Sequence, residues 1–463
     1  MGGGGMQGLM QFHEDPAVID RWQRLWGPVL VWWTPPPRRR AALAVAALAV
    51  GVGTTLQTMA RHKGLAVPQD GWGLALVVLA QFGLLFLVFL AASRFARLPA
   101  LVRRHPQLAL HGSYGALLMV LALTTPDSGL WRAVLVGLAI LYPLLLWRCG
   151  YLLLAGQHGR MAGTRMRDHL MVLWPAYGGS NTPYGQGLAY LAQHEAKTTA
   201  ALARSQLAGI KLLLLALVWR LVLTAFEGLV YGPGNGLTRA LGGLTLGVPT
   251  VTSLLAGTAT ASQLGSWASI YCQLFEDVLR LAVKGHLIVG VLRLCGFNGF
   301  RNTYKPLLAE SIVEFWNRYF YYFKELLSTF FFMPAFTGIG RHVRRWPDLR
   351  LFVAVFAAAF VGNVYYHVIK EAGALATGQG WLVLQAHQSR MFYCLLLALG
   401  IFVSMRRLQN RRGQAAQSRP TVRVLRIFGV WTFFSLISIW NADGGASFAS
   451  RWRFAVSLAG WGA

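Results

Sequence analysis

Apolar residues in this chain come in long unbroken runs, and the polar residues are gathered into the gaps between them. A helix rising 1.5 Å per residue needs about 20 mostly apolar residues to cross a hydrocarbon layer about 30 Å thick. Roughly nine to eleven stretches qualify. The candidates are 41–60, 72–93, 107–124, 130–155, 207–230, 242–260, 264–296, 349–369, 381–404 and 423–440. The stretch 264–296 is interrupted by Glu276, Asp277, Arg280, Lys284 and His286. It reads either as two elements or as one buried helix facing protein. The pattern predicts an all-α, polytopic integral membrane protein.

Loops rich in Arg, around Arg38–Arg40, "RHPQ", "RHVRRWPDLR" and "RRLQNRRGQAAQSRP", alternate with poorer ones near 67–71, 124–129, 227–236 and 371–380. The positive-inside rule then places the basic loops in the cytoplasm and His367 nearer the outer half of the membrane. Residues 1–40 differ from the rest: "PAVIDRWQRLWGPVLVWWTPPPRRR" is rich in Trp, which favours the interface. The expected division is an interfacial segment over 1–40 and one multi-span domain over 41–463. The opening "MGGGGMQGLM" lacks the basic-then-apolar pattern of a cleaved signal, and Met6 stands where a myristoylation motif needs Ser or Thr. Insertion is expected to rely on the first span.

One aromatic stretch, "ESIVEFWNRYFYYFKELLSTFFFMPAF" over 310–336, also carries Glu310, Glu314, Arg318, Lys324 and Glu325. Ile312, Phe315, Trp316, Tyr319, Phe323 and Leu326 recur at helical spacing, which predicts one helix with an apolar stripe. Glu314 and Arg318, four apart, can pair on one face. A charge at membrane depth costs about 2.5–3.5 kcal/mol on insertion scales, so such groups face protein or a wet cavity. The stretch therefore reads either as a structural ion pair beside an interfacial helix or as the lining of a chamber.

The segment "FNGFRNTYKPLLAESIVEFWNRYFYYFKELLSTFFFMP" resembles the signature region of the membrane-bound O-acyltransferases. The likeness is greatest to the bacterial branch that acylates cell-surface polymers, of the alginate O-acetyltransferase and D-alanyl transfer type. Ser311, Glu314, Phe315, Trp316 and Arg318 match in order, Asn317 is an accepted variant, and "FFFMP" stands where that family has an aromatic tail. The family's second mark, an aromatic followed by a buried His, is met by "FVGNVYYHVIKEAG", with Gly362, Tyr366 and His367. Upstream, Pro175, Gly178 and Gly179 partly match a third motif. The resemblance covers residues 165–405 and is carried by short motifs within them. Where many members have a first His, this chain has Phe320; Trp316 and Asn317 supply the Trp-Asn pair of members lacking that His.

The resemblance implies acyl transfer, acetyl by preference, from a thioester donor (acyl-CoA or an acyl-carrier protein) to a hydroxyl of a cell-envelope polysaccharide, in the inner membrane. It implies short tilted or re-entrant helices around a central chamber, no tightly bound cofactor and no metal. His367 would be the general base, a task suited to its pKa of about 6.5. Asn317 would orient it or hydrogen-bond the thioester oxygen. Glu314, Trp316, Arg318, Asn363 and Tyr366 would line or shape the chamber. Arg301 and Lys305 could attract an acidic donor or could be ordinary loop cations. His286 and His387 compete with His367 but lack its motif. Expected partners are the bilayer, the acyl donor and other polymer-modification or export proteins.

Composition agrees with the pattern: 55% of the 463 residues are hydrophobic and 13% charged. The formal net charge of +27 sits in short loops beside apolar runs, which argues against nucleic acid as a partner. The four cysteines lie far apart with no CxxC pair and receive no role. Two other classes stay open. A transporter would account for the charges at 276–284, although no internal repeat is visible. An inactive acyltransferase-like scaffold would account for Phe320.

Overall fold

A computed structural model describes residues 11–124, 129–174, 179–232, 244–339, 343, 345–410, 420–442 and 445–461, and all regular structure among them is helical. Helix α1 (Pro16–Trp33) begins on Asp15, whose carboxylate accepts the Ala17 N–H at 2.9 Å. It leads into α2 (Pro36–Arg61), α3 (Gly71–Ser93), α4 (Pro106–Leu123) and α5 (Gly129–Gln157). A short α6 (Met166–Leu173) precedes α7 (Thr199–Tyr231) and α8 (Gln263–Leu294). The signature region forms α9 (Ile312–Tyr319), α10 (Tyr321–Leu327) and α11 (Met333–Ile339), and α12 (Pro347–Val368) follows. The chain continues through α13 (Gly380–Ala386), α14 (Gln388–Asn410), α15 (Pro420–Ser438) and α16 (Phe448–Ser457).

Among the described residues, eight helices are long and apolar enough to cross a membrane: α2, α3, α4, α5, α7, α12, α14 and α15. The protein is a multi-pass membrane protein. The open choice at 264–296 resolves to one continuous helix of 32 residues, α8. Stretch 381–404 begins as α13 and restarts at Gln388 as α14. The span expected over 242–260 does not form among the described residues: 244–250 have no regular structure, with Gly247 at φ +62°, and only Val251–Leu255 is helical. Pro249 lacks an N–H and biases its predecessor away from helix. The segment instead gives N–H groups to the end of α7, Leu246 to the Leu229 carbonyl (2.8 Å) and Val248 to that of Val230 (2.9 Å).

The chain folds into two compact units. The first comprises Met1–Leu212, Ile288–Phe300 and His367–Val383. Its helices pack through small residues, as membrane helices do when lipid offers no hydrophobic contrast. A Cβ on Gly156 of α5 would lie 2.4 Å from the Ala92 carbonyl of α3, and one on Gly51 would overlap the buried Trp174 ring. Met59, Val77, Val136 and Leu141 fill the space between α2, α3 and α5. Arg39, fully buried, donates to the carbonyls of Ala196 (2.7 Å) and Thr34 (3.0 Å), tying the start of α2 to the 195–297 bridge.

The second unit comprises Leu213–Leu287, Arg301–Tyr366 and Leu384–Ala463. Phe315 of α9 stacks on Phe434 of α15 with ring centroids 3.9 Å apart, and Ile270, Ile439, Trp440 and Leu458 form a further core. Pro175, Gly178 and part of the basic loops at 340–344 and 411–419 lie outside the described residues.

Candidate active site

The signature stretch is not the single helix that its periodicity predicts. It breaks at Phe320, whose backbone turns to φ −138°, ψ 72°. The strand of coil at 302–304 satisfies both sides of the break. Asn302 accepts the N–H of Tyr321 on its carbonyl (3.0 Å) and that of Tyr322 on its side chain (3.3 Å). Thr303 and Tyr304 donate to the carbonyls of Tyr319 (2.9 Å) and Arg318 (2.8 Å). The ends of α9 and α10, which would otherwise leave peptide groups unsatisfied, are thereby closed.

The charges of the stretch form a frame. Ser311 caps α9 through the Glu314 N–H (3.2 Å). One Glu314 oxygen accepts the Glu310 N–H (2.7 Å) and the other meets Arg318 at 2.5 Å. Glu310 in turn faces Arg423 (3.0 Å) and Arg426 (3.5 Å) of α15. Arg301 and Lys305 both lie over the half-exposed ring of Tyr304, at 5.6 and 5.5 Å.

Past α10 the helix widens into a π turn at Ser328–Phe332, and α12 does the same at Ala357–Gly362. Each π turn inserts a residue into the α ladder, a feature often found at functional sites. The two turns pack on each other where Gly362 leaves room for the Phe331 ring. Beside them is a cavity of about 260 Å³. Trp316, Asn317 and Lys324 wall it on the motif side, Ala358 and Ala359 on α12, and Met405 on α14. Asn317 is exposed, and Lys324 is held by Glu325 (2.5 Å) and the Tyr321 ring (4.8 Å).

Of the residues singled out from sequence, Trp316 and Asn317 meet at this cavity. Glu314 and Arg318 pair with each other outside its lining. Tyr366 is buried with its ring 4.8 Å from that of Phe323, which abuts Trp316. Asn363 is buried one turn earlier on α12. His367, next in the chain after Tyr366, is half-buried in the last turn of α12 and is not a lining residue. His286 is buried, with Nδ1 2.5 Å from the Ala282 carbonyl, and His387 is buried at the join of α13 and α14.

A second cavity of about 410 Å³ accounts for three of the charges inside α8, Glu276, Asp277 and Arg280, but not for Lys284. Gln273, Glu276, Asp277 and Arg280 face it, with Arg390 from the first turn of α14 and Asn441 beyond α15. Arg280 bridges Glu276 (2.5 Å) and Glu227 of α7 (2.7 Å), while Gln273 donates to Asp277 (3.1 Å). Tyr319, the last residue of the motif helix, lies within electrostatic reach of Asp277 and of Tyr393. Arg390, Thr250 and Asn441 were not visible as site residues in the sequence, because each stands among ordinary polar residues flanking an apolar run, in "HQSR", "PTVTS" and "WNAD". The two cavities sit at opposite ends of α14: Arg390 and Ile401 are about 16 Å apart along a helix rising 1.5 Å per residue.

Among the described residues no three His, Cys, Asp or Glu side chains stand together as a metal site. No family model matches the chain, and no curated protein matches it.

Proposed function

We propose that the protein is an O-acyltransferase of the cytoplasmic membrane, moving a short acyl group, acetyl by preference, from a thioester to a hydroxyl of a cell-envelope polysaccharide. The observation that carries this reading is the cavity walled by Trp316 and Asn317, the residues at the centre of the acyltransferase-like motif. In this reading the cavity takes the acyl end of the donor, which comes from the cytoplasm as acyl-CoA or on an acyl-carrier protein. Its alanine and valine wall suits an alkyl group, and Lys324 and Asn317 suit the polar thioester beyond it.

The chemistry assigned to His367 is general base catalysis. An imidazole nitrogen takes the acceptor hydroxyl proton as that oxygen attacks the thioester carbon. The tetrahedral oxyanion, hydrogen-bonded by the Asn317 amide, collapses with loss of the thiolate. The imidazolium then returns its proton to sulfur. Other polymer-modification or export proteins would supply and remove the acceptor.

The test is replacement of His367 by Ala, with membrane level checked and ester-linked acyl groups on envelope polymers measured beside wild type and a deletion strain. Loss of esters in both strains is expected. Esters lost in the deletion but kept in His367→Ala would remove His367 as the base and favour a scaffold. The charged lining of the α8 cavity favours one rival, a transporter of polar solutes. It predicts solute flux that depends on Asp277 and survives His367→Ala.

A further inference from the structure

The first unit contains a cavity that the acyl-transfer reading does not use. It measures about 100 Å³ and is enclosed by α2, α5, α6 and the 186–192 segment. Arg40, Arg148 and Arg160 line it, together with Tyr151, Thr164 and His169, and no carboxylate is among its lining residues.

The arginines differ in depth. Arg148 is 2% exposed and donates to the carbonyls of Val172 and, at 3.1 Å, Trp174, which fix its guanidinium against the floor. Arg40 is half-buried and paired with Glu195, which stands behind the wall and is shared with Arg39 at 3.7 Å. Arg160 is exposed at the mouth, on the turn that follows α5. His169 bonds Thr164 through Nε2 (3.0 Å), and burial, opposed by Asp168 and aided by Arg40, brings its pKa down to about 4. At neutral pH the imidazole is uncharged and can donate or accept a hydrogen bond.

The geometry points to a phosphate-binding site: a group with two or more negative oxygens, held among the lining arginines Arg40, Arg148 and Arg160. Guanidinium forks match phosphate oxygens and bind them with charge-assisted hydrogen bonds. Leu152, Ala155 and Leu188 form the apolar part of the wall and suit a phosphate bearing a hydrocarbon substituent. The phosphate group is supplied either by an anionic lipid or by free phosphate in solution.

The experiment uses the full chain in nanodiscs of pure phosphatidylcholine, titrated with inorganic phosphate at constant ionic strength and followed by phosphorus NMR. A parallel arm adds phosphatidic acid to the discs and follows retained lipid by native mass spectrometry. Saturable binding in either arm is expected, weakened about tenfold or more by Arg160→Ala through loss of a charge-assisted bond. Binding in the first arm identifies free phosphate, and binding in the second alone identifies a lipid headgroup. Arg148→Met should abolish it. Because that buried change can unfold the unit, the exposed Arg160→Ala decides. Binding in neither arm, or binding indifferent to Arg160→Ala, overturns the assignment.

Discussion

A Cβ placed on Gly362 would stand 2.6 Å from the ring of Phe331, so the two π turns meet where one partner has no side chain at all. Gly362→Ala must push that ring aside and is expected to cost about 1–3 kcal/mol, the range for overpacking. Thermal unfolding in detergent measures it. Gly338→Ala, with open space around the new methyl, is the control and should leave the melting temperature unchanged or slightly raised.

Asn302 is 7% exposed and caps the restart of the motif helix at Tyr322. Its replacement by Ala should destabilise by about 1–3 kcal/mol by orphaning a buried N–H. Asn302→Asp keeps the acceptor oxygen and should lose less. Chemical or thermal unfolding of the two variants side by side distinguishes a cap from mere bulk.

Ala358 lies on the wall of the 260 Å³ cavity. If the cavity holds the acyl end, Ala358→Leu should shift preference toward shorter acyl thioesters, by roughly fourfold for each methylene excluded, since a buried methylene is worth about 0.8 kcal/mol. Competition between acetyl and butyryl donors reads this out. An unchanged ratio would remove the acyl group from that cavity.

Glu314 holds two partners and Arg318 is one of them. The pair is about one-third exposed on both sides, so solvent screens it and its own worth is about 0–1 kcal/mol. Glu314→Ala also removes the acceptor of the Glu310 N–H, and should destabilise more than Arg318→Ala. A double-mutant cycle separates the two contributions.

Acid should weaken the first unit through His169. Its pKa is about 4 when folded against an ordinary 6.5, so between those values the unfolded chain binds the extra proton. The contribution is complete above pH 6.5, falls as the pH drops toward 4, and amounts to at most about 3 kcal/mol. His169→Gln, which can still bond Thr164, should flatten the loss of melting temperature on acidification across that window.

The spanning helices were legible because a bilayer demands length and apolarity, properties that a run such as 72–93 displays without reference to any partner. The stretch 242–260 is as free of charge but less apolar, with five threonines and four glycines, and Pro249 and the glycines lower its helical preference while the end of α7 offers carbonyls that compete for its N–H groups. The break at Phe320 was illegible for a different reason. Its cause is Asn302, 18 residues upstream, and the apolar period runs through the break almost unaltered. The motif pointed to Trp316 and Asn317, and the cavity lies beside them. Its far wall is built from Ala358, Ala359 and Met405, ordinary span residues that no local pattern marks.

The widened turn at Ala357–Gly362 adds a residue to α12 just before Asn363, Tyr366 and His367. One residue in an α helix is a rotation of about 100°. The widened turn takes up that residue within one revolution, so deleting a single alanine from Ala357–Ala359 would close it to an ordinary α turn, leaving Asn363, Tyr366 and His367 near their present bearing but removing the bulge that meets Ser328–Phe332. The extra residue is therefore a spacer that swells one side of the helix without re-aiming its end.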